Sequence, residues 1–206
     1  TSLVYIAIFV GMLFVSGIRL RLVRIIATVG ILLMPLAWFV LKDYQKQRIL
    51  VFMNPDIDPF GSGYHIIQSK IAIGSGTIFG KGLFNGTQSQ LNFLPENHTD
   101  FIFSVIGEEL GFIGCIFVLI LLFMLIYRSI KVAYSCNDRF GMLLATGIGS
   151  MLCFEVLVNA GMTMGIMPVT GIPLPFISYG VSALTTNMIS VGILLNISMQ
   201  RKKYIF

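Results

Sequence analysis

Residues 98–114 read HTDFIFSVIGEELGFIG, and the stretch that follows, CIFVLILLFMLIY, carries no charge before Arg128. The run from 101 to 127 exceeds the roughly 20 apolar residues that a helix needs to cross a hydrocarbon core. It predicts a membrane-spanning helix, and with it an α-helical membrane protein. The acids at its start need explaining. Asp100 lies where a polar segment ends, after Pro95 and after Thr99, a candidate helix cap. A helix N-terminus favours the negative form there, so an ionised carboxylate is expected. Glu108 and Glu109 fall two to three turns further in, where an unpaired charge is costly; at least one must face inward, paired or protonated.

The rest of the chain agrees with a membrane reading. Of 206 residues, 56% are hydrophobic and only 11% charged, against about a quarter charged in a soluble domain, and mean hydropathy is +0.88. Five apolar stretches stand out, at 2–18, 22–41, 101–127, 141–166 and 177–199. The connections 17–24 and 128–139 and the tail hold Arg19, Arg21, Arg24, Arg128, Lys131, Arg139, Arg201, Lys202 and Lys203, nine of the fourteen basic residues. If these three segments are cytoplasmic, the spans alternate as the positive-inside rule requires. The net charge of +5 is then topology, and no nucleic-acid partner is expected. The same parity puts 42–99 and 167–177 outside. A connection of that length is usually functional, and its apolar pieces predict short helices at or dipping into the outer membrane face. Three widely spaced cysteines, Cys115, Cys136 and Cys153, predict neither a disulfide framework nor a metal site. The chain opens on Thr1 with no signal peptide before its first apolar run, which suggests a piece of a longer protein.

Several motifs dissolve on inspection. In GSGTIFGKG, Gly74 is one residue too far from Gly80 for a phosphate loop, and Gly82 replaces the Ser or Thr after Lys81. Asp56 and Asp58 hint at a calcium loop, but position twelve would be Ile67 rather than Glu. Asn85-Gly-Thr87 and Asn97-His-Thr99 fit the glycosylation triplet, which matters only in a eukaryotic secretory pathway. His65 and His98 read as hydrogen-bonding residues rather than metal ligands. Glu155, Asn159 and Thr163 recur at one-turn spacing in the fourth stretch, either as polar glue between helices or as the lining of a substrate cavity. Ser178, Ser182, Thr186 and Ser190 form a small polar stripe on the last helix, a pattern that favours close packing.

Three longer blocks carry a resemblance. They are YQKQRILVFMNPDIDPFGSG, then GYHIIQSKIAIGSGTIFGKGLFNGTQSQLNFLPENHTDFIFSVIGEELG, and GIMPVTGIPLPFISYG. From about Tyr44 to the C-terminus the chain resembles the SEDS family (shape, elongation, division and sporulation), and its wording is closer to the RodA branch than to FtsW. The resemblance implies half of a ten-helix bundle. The whole chain, 1–206, would be the C-terminal part of one polytopic domain, with about five spans and a large extracytoplasmic loop, 42–99. It implies a peptidoglycan glycosyltransferase for cell elongation and shape in the bacterial cytoplasmic membrane. The substrate would be lipid II, an undecaprenyl-pyrophosphate-linked disaccharide peptide, and the partner a class B penicillin-binding protein. The Asp of HTDFIF, here Asp100, would be the general base: it would take the proton from the acceptor 4-hydroxyl, which attacks C1 of the donor sugar and displaces the pyrophosphate with inversion. Arg48, Lys70 and Lys81 are candidates for the pyrophosphate on charge and location. Gln88, His98, Glu108, Glu155, Asn159 and Ser178 complete the expected substrate site. No cofactor is implied, although a divalent cation is left open. The rival readings are a lipid II flippase, which needs a polar cavity but no base, and a non-catalytic scaffold of the wall synthase. One departure is Val181, where the family typically carries a second Gly after SYG; a larger side chain there can tighten or shift the last helix.

Overall fold

The computed structural model describes residues 2–17, 24–25, 28, 32, 39, 41–54, 57–58, 61–91, 93–94, 96 and 98–200. Most of the second apolar stretch, Arg19 and Arg21, and the basic tail from Arg201 lie outside the described residues, as do Asp56, Pro95 and Asn97. Eight helices are described: α1 (Ser2–Val15), α2 (Asp43–Met53), α3 (Ser62–Gly76), α4 (Thr87–Gln90), α5 (Ile102–Glu109), α6 (Gly111–Tyr134), α7 (Arg139–Thr163) and α8 (Val181–Gln200). No strand occurs among the described residues.

Three of these helices, α6, α7 and α8, are long and apolar enough to cross a membrane. With 24 and 25 residues, α6 and α7 reach about 36–38 Å at 1.5 Å per residue, more than the roughly 30 Å of hydrocarbon. The 14 residues of α1 reach only about 21 Å. The core is a seam between the long helices. Leu122 and Ile126 of α6, Leu152 and Val156 of α7, and Leu194 of α8 pack together with Leu174, which descends from the α7–α8 connection. Val181 opens α8 with 75% of its surface exposed.

The expected single span over 101–127 is in fact two helices. Gly111 stands at φ +67°, a conformation that glycine adopts without steric cost, and α5 ends there. The break is held from outside by the segment 77–82. Its carbonyls at Thr77 and Ile78 accept from the Phe112 and Ile113 N–H groups at 2.9 and 3.2 Å, and its N–H groups at Lys81 and Gly82 donate to the Glu108 and Glu109 carbonyls at 3.0 Å. Four backbone groups that a helix end leaves unpaired are thereby satisfied. Glu108 and Glu109 consequently sit at the end of a short helix, not deep inside a span. A buried seam joins α3, α5 and α7: the Ser69 hydroxyl lies 2.6 Å from that of Ser104 and donates to the Thr163 carbonyl at 2.6 Å.

Candidate functional site

The segment 98–101 is a run of turns before α5. Thr99 does not cap that helix: Phe101 is its N-cap residue, with no side-chain cap. The Thr99 hydroxyl turns instead to Glu96, bonding its carboxylate at 3.0 Å and its carbonyl at 3.3 Å.

What fixes the turn is the connection between α7 and α8. The Asn159 amide, on the fully buried face of α7, donates to the Asp100 carbonyl at 2.9 Å and the Ile172 carbonyl at 2.8 Å. The Ser178 hydroxyl donates to the Thr99 carbonyl at 2.6 Å and accepts from the Leu174 N–H at 2.7 Å. The Tyr179 N–H donates to the His98 carbonyl at 2.8 Å. Three consecutive residues, 98 to 100, are thus each held by a different point on α7 or on the connection that follows it. Ser178 precedes α8 rather than belonging to its polar stripe, and of that stripe Thr186 and Ser190 bond their own helix backbone.

With its backbone pinned, the Asp100 side chain is left half-buried. No hydrogen bond or ion pair holds its carboxylate among the described residues. A Cβ added to Gly171, which stands at φ +68°, would lie 3.3 Å from its Oδ2 atom. Burial pushes the carboxyl above its ordinary 3.8, Glu96 pushes the same way, and Arg48 opposes them. The shift runs opposite to the direction expected from a helix N-terminus, and removal of water is its chief cause. Next to it the Phe101 ring stacks on His65, with centroids 6.0 Å apart and an interplanar angle of 28°. Burial holds His65 below its usual 6.5, against Glu96 and Asp58, and its Nδ1 has no hydrogen-bond partner among the described residues.

Two cations close on the same connection. The Arg48 guanidinium, from α2, donates to the Val169 carbonyl at 3.2 Å, which occupies one of its five donors. The exposed Lys70 side chain, from α3, lies over Gly165, where a Cβ would collide with it. The structure therefore gathers Arg48, Lys70, His98, Asn159 and Ser178 around Asp100 or the segment that holds it. Glu155 lies one turn before Asn159 on α7, partly buried, without a hydrogen bond or ion pair among the described residues.

The remaining sequence candidates form a second cluster at the far end of α5. Glu108 has a side chain with 0% exposure and an ion pair of 2.8 Å with Lys81. It also accepts from the backbone N–H groups of Gln88 and Ser89 at 2.9 and 3.1 Å and from the Thr87 hydroxyl at 3.1 Å. Against the upward push of burial, these four donors bring the carboxyl down to about 2. Glu108 is buried and paired, as expected of at least one of the two glutamates, and the pairing rather than protonation resolves its cost. The Lys81 ammonium is spent on Glu108 and Thr87, and Gln88 contributes its backbone. No group of three His, Cys, Asp or Glu side chains gathers as a metal site among the described residues.

Reasoning from sequence missed His65, Gly171 and the Val169 carbonyl as parts of the site. The signal for the last two was the Gly- and Pro-rich block 165–180, whose backbone supplies both the acceptor for Arg48 and the close approach to Asp100.

The cell cycle protein family that comprises FtsW, RodA and SpoVE matches residues 1–203. The chain is 49% identical over 191 residues to the peptidoglycan glycosyltransferase MrdB of Escherichia coli, covering 92% of this chain and 52% of that protein. It is 48% identical to the peptidoglycan glycosyltransferase RodA of Treponema pallidum, covering 79% and 37%. Against the probable peptidoglycan glycosyltransferase FtsW of Geobacter metallireducens it is 46% identical, covering 93% and 50%. Among solved structures, a chain of a peptidoglycan synthase complex aligns with TM-score 0.79 and 33% identity over 98% of this chain and 55% of that one. A variant of the rod shape determining protein RodA from Thermus thermophilus aligns with TM-score 0.51 and 37% identity, over 61% and 39%. The chain spans about half the length of the curated relatives it matches.

Proposed function

Because the chain belongs to the cell cycle protein family of FtsW, RodA and SpoVE, a family of multi-pass membrane proteins, we propose that it is the C-terminal part of a peptidoglycan glycosyltransferase. The full protein polymerises lipid II at the outer face of the cytoplasmic membrane, with 42–99 outside, beside a class B penicillin-binding protein. The observation that carries this reading is Asp100: a carboxylate with a fixed backbone, no hydrogen bond or ion pair to its oxygens among the described residues, and a proton affinity raised by burial.

A general base works best when its proton affinity is high while it stays ionised at the working pH. Burial raises the proton affinity of Asp100, and among the described residues no hydrogen bond or ion pair occupies its oxygens, which leaves them for the acceptor 4-hydroxyl. As that oxygen attacks C1 of the donor sugar, the departing pyrophosphate gains negative charge, which fixed cations stabilise best. Arg48, with four donors unused by Val169, and the exposed Lys70 take that role. Asn159 and Ser178 hold Asp100 and Thr99 in place through their carbonyls. Lys81, Gln88 and Glu108 serve the fold and stay off the substrate. The test is direct: the purified full-length protein, with its transpeptidase, is given labelled lipid II in a bilayer. Glycan strands are expected. Movement of lipid II across the bilayer without any strands would replace this reading by a transporter.

A further inference from the structure

The segment 77–84, which straps the α5–α6 break, exposes more apolar surface than a water-facing turn accounts for. Ile78, Phe79, Leu83 and Phe84 are 57%, 78%, 62% and 79% exposed. Phe84 stands at φ +62°, where a bulky residue is an outlier. Scattered apolar residues are normal on any surface, but a contiguous patch marks a binding face.

Helix length sets the height of this strap. Its Thr77 and Ile78 carbonyls are bonded to the first N–H groups of α6, so strap and helix start lie at one level. Reading inward from Gly111, the first cation of α6 is Arg128, and the apolar stretch between them rises only about 26 Å. A hydrocarbon core of roughly 30 Å is therefore not filled by the uncharged part of α6 alone; tilt shortens the projection further, while snorkelling of Arg128 offsets part of the shortfall. The far boundary of the hydrocarbon falls at the strap. Phe112, Ile113 and Phe117, in the first two turns of α6, are exposed as well.

Charge agrees with height. Between Ile71 and Pro95 the sequence has one charged residue, Lys81, and its ammonium is drawn inward to the fully buried Glu108. The tip that faces outward carries no charge of its own. We infer that 77–84 is a membrane anchor whose apolar tip inserts into the lipid surface beside α6. The same strap bonds the Glu108 and Glu109 carbonyls at the end of α5, the short helix that follows Asp100. The inference does not depend on the reaction proposed above.

The experiment places a polarity-sensitive fluorophore on Phe79→Cys in the full-length protein, with accessible native cysteines replaced, in vesicles of phosphatidylcholine and phosphatidylglycerol. Quenching by shallow brominated lipid and by aqueous iodide is read against the same label on Tyr134→Cys, a position 92% exposed at the opposite end of α6. Blue-shifted emission, quenching by the brominated lipid and loss of iodide quenching are expected, and the same from Leu83→Cys should labelling at Phe79 disturb insertion. Iodide quenching equal to that at Tyr134 overturns the inference. Protection that appears only when the transpeptidase is added also overturns it and makes the strap a protein-docking surface. Lipid quenching in a protein that makes no glycan supports the anchor and discards the glycosyltransferase reading alone.

Discussion

Asp100 and Glu108 bracket α5, eight residues apart, and both are carboxylates in a chain that avoids charge. Around Glu108 the fold supplies two backbone N–H groups, a hydroxyl and an ammonium; around Asp100 it supplies none among the described residues. Burial opposes ionisation at both sites, so the difference lies chiefly in the partners. A buried charge with its lone pairs satisfied holds structure together. A half-buried one with none is a cost to the fold, and such groups cluster at functional sites. The comparison favours Asp100 as the reacting carboxylate and Glu108 as the structural one, and it can be broken by exchanging what each is asked to do.

The largest effect belongs to Asp100→Asn in the full-length protein. Removal of the proton acceptor is expected to lower the rate of lipid II polymerisation by about 10²–10⁴-fold. Thermal stability should hold or rise, since the charge removed is desolvated and has no hydrogen bond or ion pair among the described residues. A near-normal rate would take the base assignment away from Asp100. Glu108→Ala should do the reverse. It leaves Lys81 without its counter-ion and two N–H groups without an acceptor, a loss of about 3 kcal/mol in stability, visible as a lower melting temperature and reduced abundance. Lys81→Met combined with it should cost less than the sum of the two single changes, because both remove one shared interaction. If Glu108→Ala instead kept its melting point and lost only turnover, the structural reading of that cluster would fall.

Acid separates the two sites as well. Glu108 has a folded value of about 2 against an ordinary 4.5, so its contribution to stability is complete above the ordinary value and is lost progressively as pH falls from there through about 2. Asp100 is shifted the other way, above 3.8. Protonating it relieves a burial penalty and so adds stability as pH falls, while it removes the base. Protonation of Asp100 should therefore lower the rate without lowering the melting temperature, whereas protonation of Glu108 should lower the melting temperature. Coincident loss of rate and fold would show that one group, not two, controls both.

Much of this contrast is legible in the sequence, and some of it is not. The apolar runs over 101–127 and 141–166 announce α6 and most of α7, because membrane length and uniform hydropathy are local properties. The break at Gly111 is hidden, since hydropathy does not change there; the cause is a partner segment some thirty residues upstream that offers its own backbone. For the same reason Lys81 and Gln88 read as candidates to touch substrate. The charge of Lys81 and the loop position of both point outward, and only the folded chain brings them to Glu108. Asp100 stands out through its motif and through the acid-before-helix pattern, yet that pattern predicts an ionisation favoured by the helix, whereas burial and Glu96 raise its proton affinity.

The smallest effect tests how closely the α7–α8 connection sets that environment. Gly171 stands at φ +68°, and a methyl group there would approach Asp100 Oδ2 to 3.3 Å. Gly171→Ala thus adds backbone strain of about 1–2 kcal/mol and a carbon where the carboxylate now has room. Simple strain would lower the melting temperature and leave the rate per folded molecule unchanged. Contact with the carboxylate adds a second effect: water is displaced from one oxygen, the proton affinity of Asp100 rises further, and the acid limb of the rate profile moves to higher pH. A shifted limb with KM unaltered is the expected result, because Arg48 and Lys70 reach the connection through Val169 and Gly165 rather than through Gly171. A lowered melting temperature with an unmoved limb would mean that the connection only holds the Asp100 backbone, through Asn159, and leaves its charge to the burial around it.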